Sequence, residues 1–426
     1  MSFQNLNIID PLSRAIAKEG YTTPTPIQMQ AIPYLLQGKD LMGIAQTGTG
    51  KTAAFVLPIL QRMAAEIKVA MPGSPRVLVL APTRELAAQI DQSFATYGQF
   101  LRFKHTAIFG GVSQVPQVRM LSRGVDILVA TPGRLLDLMN QGFIKLKSVE
   151  YFVLDEMDRM LDMGFVKDMR KIVSALPQKR QSLFFSATPT RDTDEFASRL
   201  LCNAVRVDAG PQESAVDRIE QSVFFVDQVN KDRLLQDLFH NNGMSRVLVF
   251  TRTKHRADKV ALMLGKEKIR AAAIHGNKSQ GQRTKAMQDF KSGRLQVLVA
   301  TDIAARGIDV DDISHVINYD LPNEPESYVH RIGRTGRAGA RGVAYSFCGA
   351  DERDSLRGIE RFARIRIGAA EHQYHSEKAK NATGIAARPA APYRSRAGSR
   401  AVLRNARPEG LNRSVPRLVQ TVRRVN

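Results

Sequence analysis

The chain has 426 residues, more than one hydrophobic core usually holds, so two globular domains with an appendage are expected. Its formal charge of +21 implies a polyanionic partner, and 43% hydrophobic residues fit an ordinary globular protein. No apolar run reaches the length of a membrane span, and the start lacks a basic segment followed by an apolar one; no membrane partner, no secretory leader and a cytoplasmic setting are expected.

Short apolar runs rich in Val, Ile, Leu and Phe recur at 41–45, 77–81, 127–130, 151–154 and 183–185, then at 223–226, 247–250, 297–300 and 316–318. Such runs read as strands buried on both faces. Their alternation with helical stretches predicts an α/β fold with two parallel sheets flanked by helices. The polar stretch 209–217, with Gly-Pro near its start, reads as a linker between a first domain (1–208) and a second (218–368).

From 369 the composition changes, and the segment is predicted to be a basic, disordered tail. Between 378 and 426 it holds ten arginines and two lysines against one acid, Glu409. The one-sided charge suits a nucleic-acid arm better than a merely solubilising tail. The two cysteines, Cys202 and Cys348, are far apart and are expected to be buried thiols; the eight scattered histidines do not suggest zinc.

The run Ala45-Gln46-Thr47-Gly48-Thr49-Gly50-Lys51-Thr52 follows a predicted strand and precedes a helical pattern. It matches a phosphate-binding loop except for Ala45 at the first glycine. The glycines let backbone N–H groups turn around phosphates, Lys51 supplies charge, and Thr52 supplies a hydroxyl for Mg²⁺. A loop of this kind needs an acid at the end of a later strand. Asp155 follows the 151–154 run and suits Mg²⁺, through water, while Glu156 suits the attacking water. Arg334 and Arg337, in His330-Arg-Ile-Gly-Arg334-Thr-Gly-Arg337, suit a developing phosphate charge because a guanidinium binds oxygens bidentately.

Together these motifs resemble those of the DEAD-box RNA helicases of superfamily 2, from Phe3 to about Ile367, with the match loosening after Val343. The resemblance is to bacterial RhlE-type members, on Gly20-Tyr-Thr-Thr-Pro-Thr-Pro-Ile-Gln28, Arg159-Met-Leu-Asp-Met-Gly-Phe165 and His275-Gly-Asn-Lys-Ser-Gln280. It implies two tandem RecA-like domains and an ATP-dependent RNA helicase that hydrolyses ATP on binding RNA and locally unwinds or remodels duplexes. Gln28 would read the adenine edge, with Phe3 and Tyr21 packing around the base, and Asp309 would contact the ribose. Arg84, Gly110, Gly111, Thr131, Arg134, Thr251, Gln280, Arg283 and Thr301 would contact RNA. Asp158, Ser186, Thr188 and His330 would couple hydrolysis to strand separation.

The family's signature Asp-Glu-Ala-Asp is here Asp155-Glu156-Met157-Asp158, so a larger, flexible side chain stands beside the catalytic acids. The implied partner is single-stranded or short duplex RNA, met by a monomer, with ribosomal and mRNA-decay complexes both open as settings. Two competing readings are a superfamily 2 DNA translocase and an RNA clamp that binds ATP with little turnover; intact Lys51, Glu156, Arg334 and Arg337 argue against the clamp.

Overall fold

The computed structural model describes residues 3–46, 48–209, 219–241, 243–305, 310, 313–336 and 342–388. Its strands are β1 (Leu41–Ile44), β2 (Val77–Leu80), β3 (His105–Ile108), β4 (Ile127–Ala130), β5 (Tyr151–Leu154), β6 (Gln181–Ser186) and β7 (Val205–Asp208), then β8 (Ile219–Phe225), β9 (Val247–Phe250), β10 (Ala271–Ile274), β11 (Val297–Ala300), β12 (His315–Asn318), β13 (Gly342–Cys348) and β14 (Gly368–Ala369). Among the described residues they form two seven-stranded sheets, ordered β3-β4-β2-β5-β6-β1-β7 and β10-β11-β9-β12-β13-β8-β14. The strand pairs within the sheets are parallel, as the alternation with helices predicts.

Every residue of β1, β2, β4 and β5 is buried, and so is every residue of β9 and β11. Helices cover both faces, so neither side chain of an alternating pair meets water. The first sheet has one apolar layer around Phe55, Leu57, Val79 and Phe185 and another around Phe152, Phe184, Met157 and Met160.

The apolar runs mark the central strands, coinciding with β4, β5, β9 and β11 and falling within four residues of the ends of the others. They miss β3, β7, β10 and β14, which lie at or near sheet edges: β3 and β7 are interrupted by polar residues, β10 is three alanines before Ile274 and lacks the branched run of a central strand, and β14 is only two residues long. β13 was missed for another reason: its apolar residues are interrupted by Gly342, Tyr345 and Ser346, although it pairs with β8 along its whole length.

The linker expected at 209–217 lies outside the described residues apart from Ala209, whose N–H donates to Ile44 O at 2.9 Å. The expected tail begins at 369, yet residues 369–388 continue the fold. Gly368 and Ala369 pair with β8, and a helix spans Glu377–Asn381. Ala379 and Ala387 are fully buried, and Arg357 Nη2 donates to Ala382 O at 3.0 Å. Small alanines fit under the sheet edge here, a packing that the charge pattern concealed. Residues 389–426 lie outside the described part. Cys348 is buried, its thiol pushed up to about 12 by burial, whereas Cys202 is exposed, contrary to expectation, in the turn that precedes β7. No described helix is long and apolar enough to cross a membrane.

Candidate active site

The loop after β1 turns on two left-handed glycines, Gly48 at φ 81° and Gly50 at φ 84°. Gly50 is the residue before the helix Lys51–Ala65, and a Cβ there would run into the side-chain amide of Gln28. Thr49 Oγ1 closes the loop by donating to Gln46 O at 2.7 Å. The helix start directs free backbone N–H groups and the positive end of its dipole into the same space. Lys51 is 6% exposed, and its Nζ is buried without a hydrogen-bond partner. A buried ammonium in that condition is costly unless an anion joins it, so the loop suits phosphate.

Opposite the loop, β5 delivers Asp155 and Glu156, both almost fully buried. Burial pushes the Asp155 carboxyl up to about 6, against the pull of Lys51. Its Oδ1 accepts from the N–H of Glu156 at 3.0 Å. Glu156 itself sits in left-handed backbone at φ 51°, which projects it from the strand end. The Thr52 hydroxyl and the Asp155 carboxylate are hard oxygen donors on the same cavity as Lys51, a donor set that fits Mg²⁺.

These groups share a cavity of about 440 Å³. Its walls include Phe3, Tyr21, Gln28, Gly48, Gly50, Lys51, Thr52, Asp155, Glu156 and Arg334, so a residue of the second half reaches the first half's loop. Gln28 is anchored on both sides: Oε1 accepts from the Thr25 N–H at 2.9 Å, and Nε2 donates to Gly50 O at 3.1 Å. It retains one donor and one lone pair for a base. Thr47, Asp309 and Arg337 lie outside the described residues.

Asp158 fastens the acid run to the loop after β6. Its Oδ2 accepts from the N–H groups of Ala187 and Thr188, each at 3.0 Å, and from Thr188 Oγ1 at 2.9 Å. Ser186 Oγ donates to Thr188 O at 2.8 Å. Burial works to raise Asp158, but Lys51, Arg159, His330 and the Thr188 hydrogen bond hold it below the ordinary carboxylate value. His330 lies across from it, pushed down to about 3 by burial and by Arg159, and is therefore neutral near pH 7.

The expected RNA contacts fall into two groups. Arg84 begins the helix Arg84–Tyr97, and its guanidinium lies where a Cβ on Gly111 would go, which is why the Gly110-Gly111 turn needs glycine there. Arg134 donates to Val112 O and Gln117 Oε1, both at 3.1 Å, while Thr131 precedes its helix. From the second half, Gln280 Nε2 donates to Glu85 Oε1 at 3.3 Å and Arg283 pairs with the same oxygen at 2.8 Å. Both therefore join the Arg84 region. Thr251 and Thr301 follow neighbouring strands, but the Thr251 side chain is fully buried.

The sequence reading missed several participants. Glu85 receives the second half, and Gln89, Ser93 and Tyr97 line the nucleotide cavity. Their four-residue spacing on the helix started by Arg84 is the signal that was available. Arg331 was also missed. It pairs with Asp302 through Nη2 at 2.7 Å, donates to Asn318 Oδ1 and Asp320 O, and stacks over Phe250 at 4.9 Å, fixing the helix that carries His330 and precedes Arg334.

Residues 25–196 match the DEAD/DEAH box helicase family and residues 230–339 match the helicase conserved C-terminal domain. DEAD-box ATP-dependent RNA helicase 20 of Arabidopsis thaliana is 45% identical over 351 residues, covering 81% of this chain and 70% of that protein. This chain belongs to the DEAD-box ATP-dependent RNA helicases. It is thus a hydrolase acting on ATP, built from two RecA-like domains. DEAD-box ATP-dependent RNA helicase 30 of the same plant is 46% identical over 347 residues, of which 81% of this chain and 59% of that protein are covered, so this member spans little more than half of some relatives. Among solved structures, S. cerevisiae Dbp5 bound to RNA and ADP BeF3 is similar with a TM-score of 0.74 and 30% identity, covering 87% of this chain and 95% of that one.

Proposed function

We propose that this helicase hydrolyses ATP only when RNA draws its two halves together, with the labour divided by residue. The observation behind this reading is that Arg334 of the second half lines the same cavity as Lys51 and Glu156 of the first. Lys51 and the loop N–H groups hold the phosphates, with Gln46, Thr47 and Thr49 as loop backbone. Gln28, Phe3, Tyr21 and Asp309 hold the nucleoside. Thr52, and Asp155 through water, would hold Mg²⁺, which when bound neutralises charge on the phosphate oxygens.

Glu156 orients a water against the γ-phosphorus and takes its proton. The new P–O bond forms as the bond to the β–γ bridging oxygen breaks, leaving ADP and phosphate. Arg334, with Arg337, meets the charge spread over the transferred group. Asp158 and Thr188, backed by Ser186 and faced by neutral His330, transmit closure to the RNA side.

RNA lies along Arg84, Gly110, Gly111, Thr131 and Arg134, then Gln280, Arg283 and Thr301, while the buried Thr251 supports the strand end beneath them and does not face the RNA. Contacts of this kind hold phosphate and 2′-hydroxyl groups and so carry little sequence preference. The halves correspond to domains at 1–208 and 218–388, joined by 209–217, the second being longer than the sequence reading gave it. The motif spellings favour an RhlE-type member; a monomer in the cytoplasm is the simplest setting, with ribosomal and messenger RNA both open as substrates.

The test is steady-state ATPase activity without nucleic acid, with single-stranded RNA and with the same sequence as DNA, using Glu156→Gln as the blank. RNA alone should stimulate. Equal stimulation by DNA would move the substrate to nucleic acids in general, and no turnover from folded, ATP-binding protein would leave an RNA clamp.

A further inference from the structure

Arg159 follows the four-residue acid run and takes no part in the roles given above. Its side chain is 3% exposed, and Nη1 donates at 3.0 Å to Glu156 Oε2, whose side chain is 5% exposed. Its backbone N–H donates to Asp158 Oδ1 at 3.0 Å, so it is tied to the acid run at two points. Glu156 precedes the helix Met157–Asp162, and the three-residue spacing brings the carboxylate and the guanidinium onto one face.

Residues of the second half stand beside Arg159. Arg159 shares the wall of a narrow crevice with Phe250, Asp302, His330, Arg331 and Arg334. After burial, Arg159 is the largest influence keeping His330 neutral. It does not line the nucleotide cavity, whereas Glu156 and Arg334 do.

We propose that Arg159 is a positioning residue for hydrolysis: it aims the Glu156 carboxylate at the attacking water, and does so fully only while the second half covers it. The inference rests on Glu156 serving as general base. A solvent-exposed ion pair is weak and loosely oriented, whereas a pair removed from water interacts more strongly in one geometry. Covering by His330 and Arg334 turns the first kind of pair into the second. The same movement brings Arg334 to the nucleotide cavity, so closure assembles the aimed base and the phosphate-facing arginine together. With the cleft open, nucleotide binds but Glu156 is poorly aimed, which makes hydrolysis depend on closure without requiring a change in nucleotide affinity.

Parent, Arg159→Gln and Arg159→Lys proteins are compared at saturating RNA for kcat, for KM of ATP and for the rise in melting temperature on adding ADP. Arg159→Gln should lower kcat about 10- to 100-fold, a part of what a general base contributes. KM should stay within about twofold and the ADP-induced rise should match the parent's, since affinity is not the quantity affected. Arg159→Lys should recover part of kcat. Parent-like kcat in Arg159→Gln overturns the inference. So does a loss of kcat and ADP stabilisation together that lysine does not rescue, because that pattern belongs to a purely structural residue. A parent protein that does not turn over ATP with RNA overturns the reading of the site itself, and this inference with it.

Discussion

The two halves carry the same strand order, yet one is built to take a phosphate and the other to refuse it. β1 and β8 occupy the same place in their sheets, and the helices that follow begin with Lys51 and Lys231. Both lysines are buried, but their surroundings differ. Lys51 Nζ has no hydrogen-bond partner. Lys231 Nζ donates to Tyr319 O at 2.7 Å and Glu352 Oε2 at 2.7 Å, and lies 3.4 Å from Asp320 Oδ1. Glu352 also receives Arg252, Leu321 and Gly349, so its charge is fully engaged.

The loops explain the divergence. Residues 45–50 include Gly48 and Gly50, which leave N–H groups free to face an anion, while 226–230 has no glycine. An acid follows the corresponding strand in each half. Asp155 and Glu156 face the nucleotide cavity, while Asp320 is spent on Lys231 and on the Arg252 N–H. The same scaffold therefore keeps one charge in reserve for a ligand and satisfies the other internally, where it stabilises the fold and supports the element carrying Arg334.

The comparison implies that the second half contributes chemistry only across the cleft. Arg334→Ala should lower the RNA-stimulated kcat by about 10³-fold, the lower range for removing such an arginine, while binding of ADP changes little; single-turnover hydrolysis and ADP titration check this. Unchanged hydrolysis would leave the second half as scaffold alone.

Met157 belongs to the apolar layer of the first half. It is fully buried among Phe152, Met160 and Phe184, so Met157→Ala should cost about 2–5 kcal/mol of stability by leaving a cavity, read by denaturant unfolding. Hydrolysis should persist in the folded fraction, because the side chain fills the apolar layer and does not line the nucleotide cavity. A large gain in unwinding per ATP would mean instead that methionine handicaps coupling.

The smallest effect concerns pH. The Asp155 carboxyl, raised to about 6 by burial, gains a proton as pH falls through that value in the nucleotide-free protein. Binding that needs the carboxylate must displace this proton. ATP affinity in the presence of magnesium should therefore be level above pH 7 and fall by about tenfold per unit below 6. His330, titrating near 3, adds nothing in that range. Isothermal titration between pH 5 and 8 reads the slope directly.

Much of this site was legible because its chemistry is local in sequence. The loop from Ala45 to Thr52 and the acids after β5 are contiguous segments whose spacing states their purpose. The central strands were legible too, since burial on both faces writes an unbroken apolar run. Edge strands such as β3 and β7 carry no such mark, and the alanines that bury residues 369–388 look like linker composition. The groups that meet across the fold were least legible. Glu85 with Arg283, and Arg331 with Asp302, are separated by long stretches of chain, and nothing in either segment alone names its partner.

One lysine is held for a ligand and its counterpart for the fold. Thermal melting of Lys51→Met and Lys231→Met, each with and without ADP, separates the two roles. Lys51→Met loses the pull of an ammonium on Asp155 and Asp158 but no hydrogen bond, so it should melt close to the parent and gain little from ADP. Lys231→Met leaves buried Glu352 without its main cation, so it should lose about 3–5 kcal/mol and melt lower, yet still be stabilised by ADP. A Lys51→Met destabilised as much as Lys231→Met, or a Lys231→Met that melts like the parent, would contradict the division between the two halves.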